Sequence, residues 1–140
     1  MKLLTSTIAS TALLLGTACF GATPEEETRF LDAVRTAFSK KDKDALNSLS
    51  CWDGVTEKFK ALATKDPEYL FAHPVRLIEY RPVEPDDSKE FPRDGVTYAP
   101  NLKIIKRLQI EFQDDPKMKA YKLVGEKDGR LMFVNLAPKS

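Results

Sequence analysis

The sequence predicts an α+β fold, with N-terminal helices packed on a curved antiparallel sheet in a cone-like arrangement. Three observations carry this expectation. Apolar residues recur at helical spacing from Phe30 to Phe71. Prolines at Pro74, Pro82, Pro85, Pro92, Pro100 and Pro116 forbid long helices in the second half. Asp128-Gly129 then separates two apolar segments, a strong signal for a two-residue hairpin.

A leader precedes the fold. Lys2, a mostly apolar run from Leu3 to Leu15, and small residues at Gly16, Ala18, Gly21 and Ala22 read as a secretory signal peptide spanning 1–22. The apolar run is short for a bilayer span, is broken by Thr and Ser, and leads directly into charged sequence. Cleavage after Ala18 suits a peptidase that wants small side chains, whereas cleavage after Ala22 places Phe20 in its minus-three pocket. Gly16-Thr17-Ala18-Cys19 also resembles a lipobox, with Gly16 where Leu is usual, so lipidation of Cys19 stands as the alternative to plain cleavage. The expected location is outside the cytoplasm, either periplasmic or secreted, with a membrane anchor only through Cys19.

Residues 23–140 suit one domain. Thr23 caps the first helix, Pro24 occupies its first position, and Glu25 to Glu27 face the positive end of the dipole. Phe30, Val34, Ala37 and Phe38 form its buried face. Asp42 or Asp44 caps a second, short helix that buries Leu46 and Leu49, and Asp53-Gly54 closes it. Thr56 caps a third helix carrying Phe59, Leu62 and Ala63, with Val55 as a staple. One more turn from Asp66-Pro67-Glu68 brings Tyr69, Leu70 and Phe71 to the same core.

Strands follow. Val75 to Val83 is the first, Glu84 to Gly95 a polar loop, and Val96 to Ala99 a short extended piece. Ile104 to Gln113 alternates, with Ile104, Leu108, Ile110 and Phe112 inward and Arg107, Gln109, Glu111 and Gln113 toward water. Ile105 and Lys106 interrupt the phase. Ala120 to Glu126 pairs with Arg130 to Ala137, setting Leu123 opposite Val134 and Val124 opposite Phe133. Both faces of this hairpin are partly apolar, so it sits centrally in a curved sheet or contributes to a dimer contact.

Composition excludes several functions. The 22 basic and 21 acidic residues nearly cancel, and Lys2 leaves with the leader, so no basic field for nucleic acid remains. Acidic residues are mixed into the basic stretch from Lys103 to Lys127. Cys51 is the one cysteine downstream of the leader; it follows an apolar helical pattern and reads as buried, and it permits no disulfide framework. His73 is the single histidine, which rules out a two-histidine metal site. Gly54, Gly95, Gly125 and Gly129 are isolated turn residues, so no phosphate-cradling loop forms, and no cofactor is expected. Asp86-Asp87 and Asp114-Asp115 fall in polar turns and lack the further oxygen ligands of a calcium loop.

A long first helix, a short second beginning at Lys41-Asp42-Lys43-Asp44-Ala45-Leu46, a third helix, and a terminal hairpin through Gly125-Glu126-Lys127-Asp128-Gly129 together resemble the nuclear transport factor two-like, or cystatin-like cone, superfamily. The likeness spans about Glu25 to Ala137. Cys51-Trp52-Asp53-Gly54 and Gly125 to Gly129 also resemble segments of uncharacterised exported bacterial proteins. The resemblance implies a cone that binds small molecules, mediates protein contacts, or carries out acid–base chemistry, and fold alone does not choose among these. No catalytic motif of the family matches residue by residue.

The sequence therefore points to a noncatalytic module for a small molecule or an interaction partner. Trp52 and Asp53 are its candidate ligand residues, joined by the strand hydroxyls of Tyr80 and Tyr121 in an interior pocket. Trp52 as a core plug and Asp53 as a helix cap is the structural alternative. A small hydrolase or isomerase using His73 or Asp53 as base, and an envelope-associated homodimer or lipoprotein, are the alternative functions.

Overall fold

The computed structural model describes residues 22–139. The expected leader, apart from Ala22, lies outside the described residues, and Cys19 with it. Among the described residues no helix is long and apolar enough to cross a membrane.

Helix α1 (Pro24–Lys40) starts where its sequence directs. Thr23 Oγ1 accepts from the Glu26 N–H at 3.2 Å, and Phe30, Val34, Ala37 and Phe38 are buried. The chain leaves α1 through Lys41, whose φ of 51° turns it in the left-handed region. Asp42, not Asp44, caps α2 (Lys43–Ser48) by accepting from the Ala45 N–H at 3.0 Å, and Leu46 is buried. Thr56 caps α3 (Glu57–Ala63) as expected, yet this helix buries none of its residues. In α4 (Asp66–Phe71), Pro67, Leu70 and Phe71 take the inner face. A helix this short has one such face, so Tyr69, expected in the core, is exposed.

The strands are β1 (Val75–Arg81), β2 (Phe91–Arg93), β3 (Val96–Pro100), β4 (Ile104–Phe112), β5 (Lys119–Lys127), β6 (Arg130–Phe133) and β7 (Leu136–Pro138). They form two sheets, ordered β1-β4-β5-β6 and β2-β3-β7, rather than the single layer expected, and together they curl into a half-barrel. The second sheet exists because the expected polar loop holds β2, which pairs with β3 across Asp94-Gly95. Both this turn and Asp128-Gly129 have positive φ at both central residues, the geometry that matches strand twist. Every pairing between named strands is antiparallel. One isolated parallel bridge joins Ser50 to Phe133.

Helices α1, α2 and α4 and the four-stranded sheet enclose the core. Phe30 meets Phe133 edge to face at 5.0 Å, Phe38 meets Phe71 at 5.1 Å, and Leu108, Ile110, Phe112 and Val124 are fully buried. Each large side chain so buried contributes about 1.5–3 kcal/mol. The hairpin has the expected register, with Val124 opposite Phe133 and the Val134 N–H donating to the Leu123 carbonyl at 2.9 Å. β6 is nevertheless an edge of the four-stranded sheet, not a central strand.

Two expectations for β4 are corrected. The register shifts between Ile104 and Lys106, so Ile105 packs against the core in place of Ile104. Gln109 and Glu111 do not face water: they are 4% and 7% exposed. β4 lies between β1 and β5, and long side chains from both neighbours cover its outer face. Arg76 and Lys119 pair with Glu111 there, and Gln109 Nε2 donates to Glu111 Oε1 at 2.8 Å.

Candidate functional site

Strand alternation turns Leu123 and Val134 away from Val124 and Phe133, onto the side of the sheet opposite the core. There they meet α3. Val55, Phe59 and Leu62 form one wall of a groove of about 350 Å³, and Leu123, Val134 and Leu136 form the other. Its polar groups are few: Asp66, Asp87 and Asn135. Leu62, 51% exposed, stands in it as an uncovered apolar side chain.

Two features fix these walls. Phe59 is held edge to face by Tyr98 at 4.7 Å, with the Arg93 guanidinium 6.0 Å from its ring. On the sheet side, a Cβ on Gly125 would lie 2.7 Å from Leu102 Cβ, 2.8 Å from the Lys103 carbonyl and 3.2 Å from Val134. Only glycine admits this approach of chain to strand.

The connector between α2 and α3 is held by an asparagine clamp. Asn101 Nδ2 donates to the carbonyls of Cys51 and Asp53 at 2.9 and 3.1 Å, and Asn135 Nδ2 donates to Cys51 at 2.9 Å. The two asparagines are joined, since the Asn135 N–H donates to Asn101 Oδ1 at 2.9 Å. The Cys51 N–H in turn donates to the Phe133 carbonyl at 2.9 Å. This network positions α3 over the sheet, and Cys51 is buried at its centre.

The four candidates from the sequence do not meet in one pocket. Trp52 Nε1 donates to the Asn47 carbonyl at 3.2 Å, and its ring, with Lys60 5.6 Å away, lines a space of about 20 Å³, enough for roughly one water. Asp53 is exposed and pairs with Lys127, which holds its carboxyl below the usual range. The cap of α3 is Thr56, not Asp53. Tyr80 is half-buried beside α1, where its hydroxyl donates to the Glu27 carbonyl at 2.6 Å; burial and the nearby Glu27 push its pKa to about 12. Tyr121 points to the opposite face of the sheet, with Arg107 stacked 4.1 Å from its ring.

The small space beside Trp52 shares Ala63, Asp66 and Asn135 with the α3 groove, so Trp52 is a neighbour of the groove. Lys122 lines this small space as well. Burial lowers its pKa, Asp66 offsets part of the shift, and its ammonium sits 5.2 Å from the Phe133 ring. Asp87 is already engaged, by Arg107 at 3.3 Å and by the Glu84 N–H at 2.7 Å.

His73 Nδ1 donates to Asp114 Oδ2 at 2.8 Å, and its ring contacts Tyr69 and Phe112. Asp53, the other candidate base, pairs with Lys127 and not with His73. Among the described residues no group of three His, Cys, Asp or Glu is placed to hold a metal ion.

The spacing of Phe59, Leu62 and Ala63 predicts one shared face packed into the core, whereas these residues line the groove. The asparagine clamp follows no periodic pattern in the sequence. The one available signal for Asn135 is a polar residue inside the apolar run from Leu131 to Ala137. No family model, curated protein or solved structure matches this chain.

Proposed function

We propose that this domain is a noncatalytic binding module that takes a small apolar molecule in the groove beneath α3. The observation that carries this reading is the groove itself: apolar walls from two directions, a volume suited to a small molecule, and few polar groups at its border. The alternation of β5 and β6 supports it, because Leu123 and Val134 leave the core side and line the groove opposite α3. Helices packed on a curled antiparallel sheet are in keeping with a nuclear transport factor two-like cone. The leader read from residues 1–22 supports action outside the cytoplasm, in the periplasm or as a secreted protein, with Cys19 as the point of any lipid anchor.

An uncharged probe tests the site without drawing on charge. N-phenyl-1-naphthylamine is expected to bind saturably, with a rise in its fluorescence. Leu62→Glu places a carboxylate in the apolar wall and is expected to weaken that binding at least about tenfold. Because Leu62 is half exposed in the free protein, the variant keeps its circular dichroism spectrum. Absence of saturable binding, or equal binding by the variant, overturns the reading.

A further inference from the structure

We propose that a second groove, between the C-terminal end of α1 and β1, is a binding site for a small polyanion bearing phosphate or carboxylate groups. It has a volume of about 490 Å³ and shares no lining residue with the groove beneath α3. Phe38 and Phe71 supply apolar surface, Arg35, Lys41 and Arg76 supply charge and hydrogen-bond donors, and the His73 ring lines the border. Among the described residues no carboxylate lines it.

The charge in this groove is only partly spent. Arg76 pairs with Glu111, and His73 bonds through Nδ1 to Asp114, which leaves Nε2 as the remaining polar atom of the ring. Arg35 and Lys41 have no carboxylate within ion-pair distance among the described residues. Arg35 uses one Nη2 hydrogen bond, to the Ile78 carbonyl at 3.1 Å, which anchors the guanidinium against β1 and leaves its other donors free. The partial negative charge at the end of α1 offsets part of this surplus, but two full positive charges exceed it.

The backbone at Lys41 adds a second, independent observation. Its φ of 51° is a conformation in which glycine is preferred at a helix end, yet a lysine stands there and lines the groove. A side chain held where the backbone disfavours one fits a role for its ammonium. Donors at a helix end, one of them anchored to β1 by the Arg35–Ile78 hydrogen bond, suit an anion with several oxygens.

The single histidine of the chain gives the readout. Pyrophosphate and citrate are titrated separately into the protein at fixed pH and constant ionic strength, and the His73 imidazole resonance is followed by NMR. A saturable shift is expected with at least one of them. Pyrophosphate alone assigns a phosphate-bearing ligand, citrate alone a polycarboxylate, and both a general polyanion site. Lys41→Gly relieves the left-handed backbone and keeps the fold, so its expected loss of affinity, about fivefold, reports on the charge. Ser39→Glu, on the exposed end of α1, adds a carboxylate to the groove and weakens binding further. A shift that follows ionic strength without saturating, or unchanged affinity in both variants, overturns the proposal.

Discussion

Glu26 accepts from Arg29 Nε at 2.7 Å within α1 and from the Leu131 N–H at 2.9 Å in β6, so one carboxylate ties the first turn of the helix to the terminal hairpin. The Arg29 hydrogen bond, assisted by the Leu131 N–H, lowers its pKa from 4.5 to about 2. A carboxyl lowered by folding gives stability that is complete above about 4.5 and is lost as pH falls toward about 2. Glu26→Gln is therefore expected to cost about 1–3 kcal/mol near neutral pH and to flatten the fall in stability between those limits. Urea midpoints across a pH series check this, and an unchanged slope would contradict it. Asp53 is also lowered, by Lys127, but it is exposed to solvent and contributes little by comparison.

Helix α3 differs from α1 in what its apolar face meets. α1 buries four residues, whereas α3 buries none and is held by its cap, the Phe59–Tyr98 contact and the clamped connector before it. Local opening is then expected at α3 first. Amides of Lys60 to Ala63 should exchange at least about a hundredfold faster than those of Val34 to Phe38 in native hydrogen exchange. Equal protection would mean that α3 is part of the core. The same elements show what a sequence reveals. Thr23, Pro24 and the three glutamates name the start of α1, and Asp128-Gly129 fixes the hairpin register, because caps and tight turns are local chemistry. The spacing of Phe59, Leu62 and Ala63 is identical whether their face enters a core or lines a groove, so their destination was not legible. Asn101 and Asn135 stand 34 residues apart and follow no period, and their pairing exists only after the sheets form.

The four-stranded sheet serves two purposes. Its helix-covered side holds the aromatic and aliphatic core, and its other side carries the buried Gln109–Glu111 pair in the middle and the apolar groove beneath α3 at β5 and β6. The α+β class and the order of elements could be read from periodicity and prolines. The division into two sheets could not, since β2 has three residues and lies in a polar stretch. Trp52, Asp53, Tyr80 and Tyr121 stand out in the sequence by residue type alone, and strand alternation sends the two tyrosines to opposite faces. The space between α3 and the outer side of β5 and β6 is proposed to receive an apolar ligand. Intermolecular NOEs from bound N-phenyl-1-naphthylamine to leucine and valine methyl groups test it most directly. Contacts to Leu62, Leu123, Val134 and Leu136 are the predicted result, and contacts confined to other methyl groups, such as those of Leu77 and Val83, would contradict it.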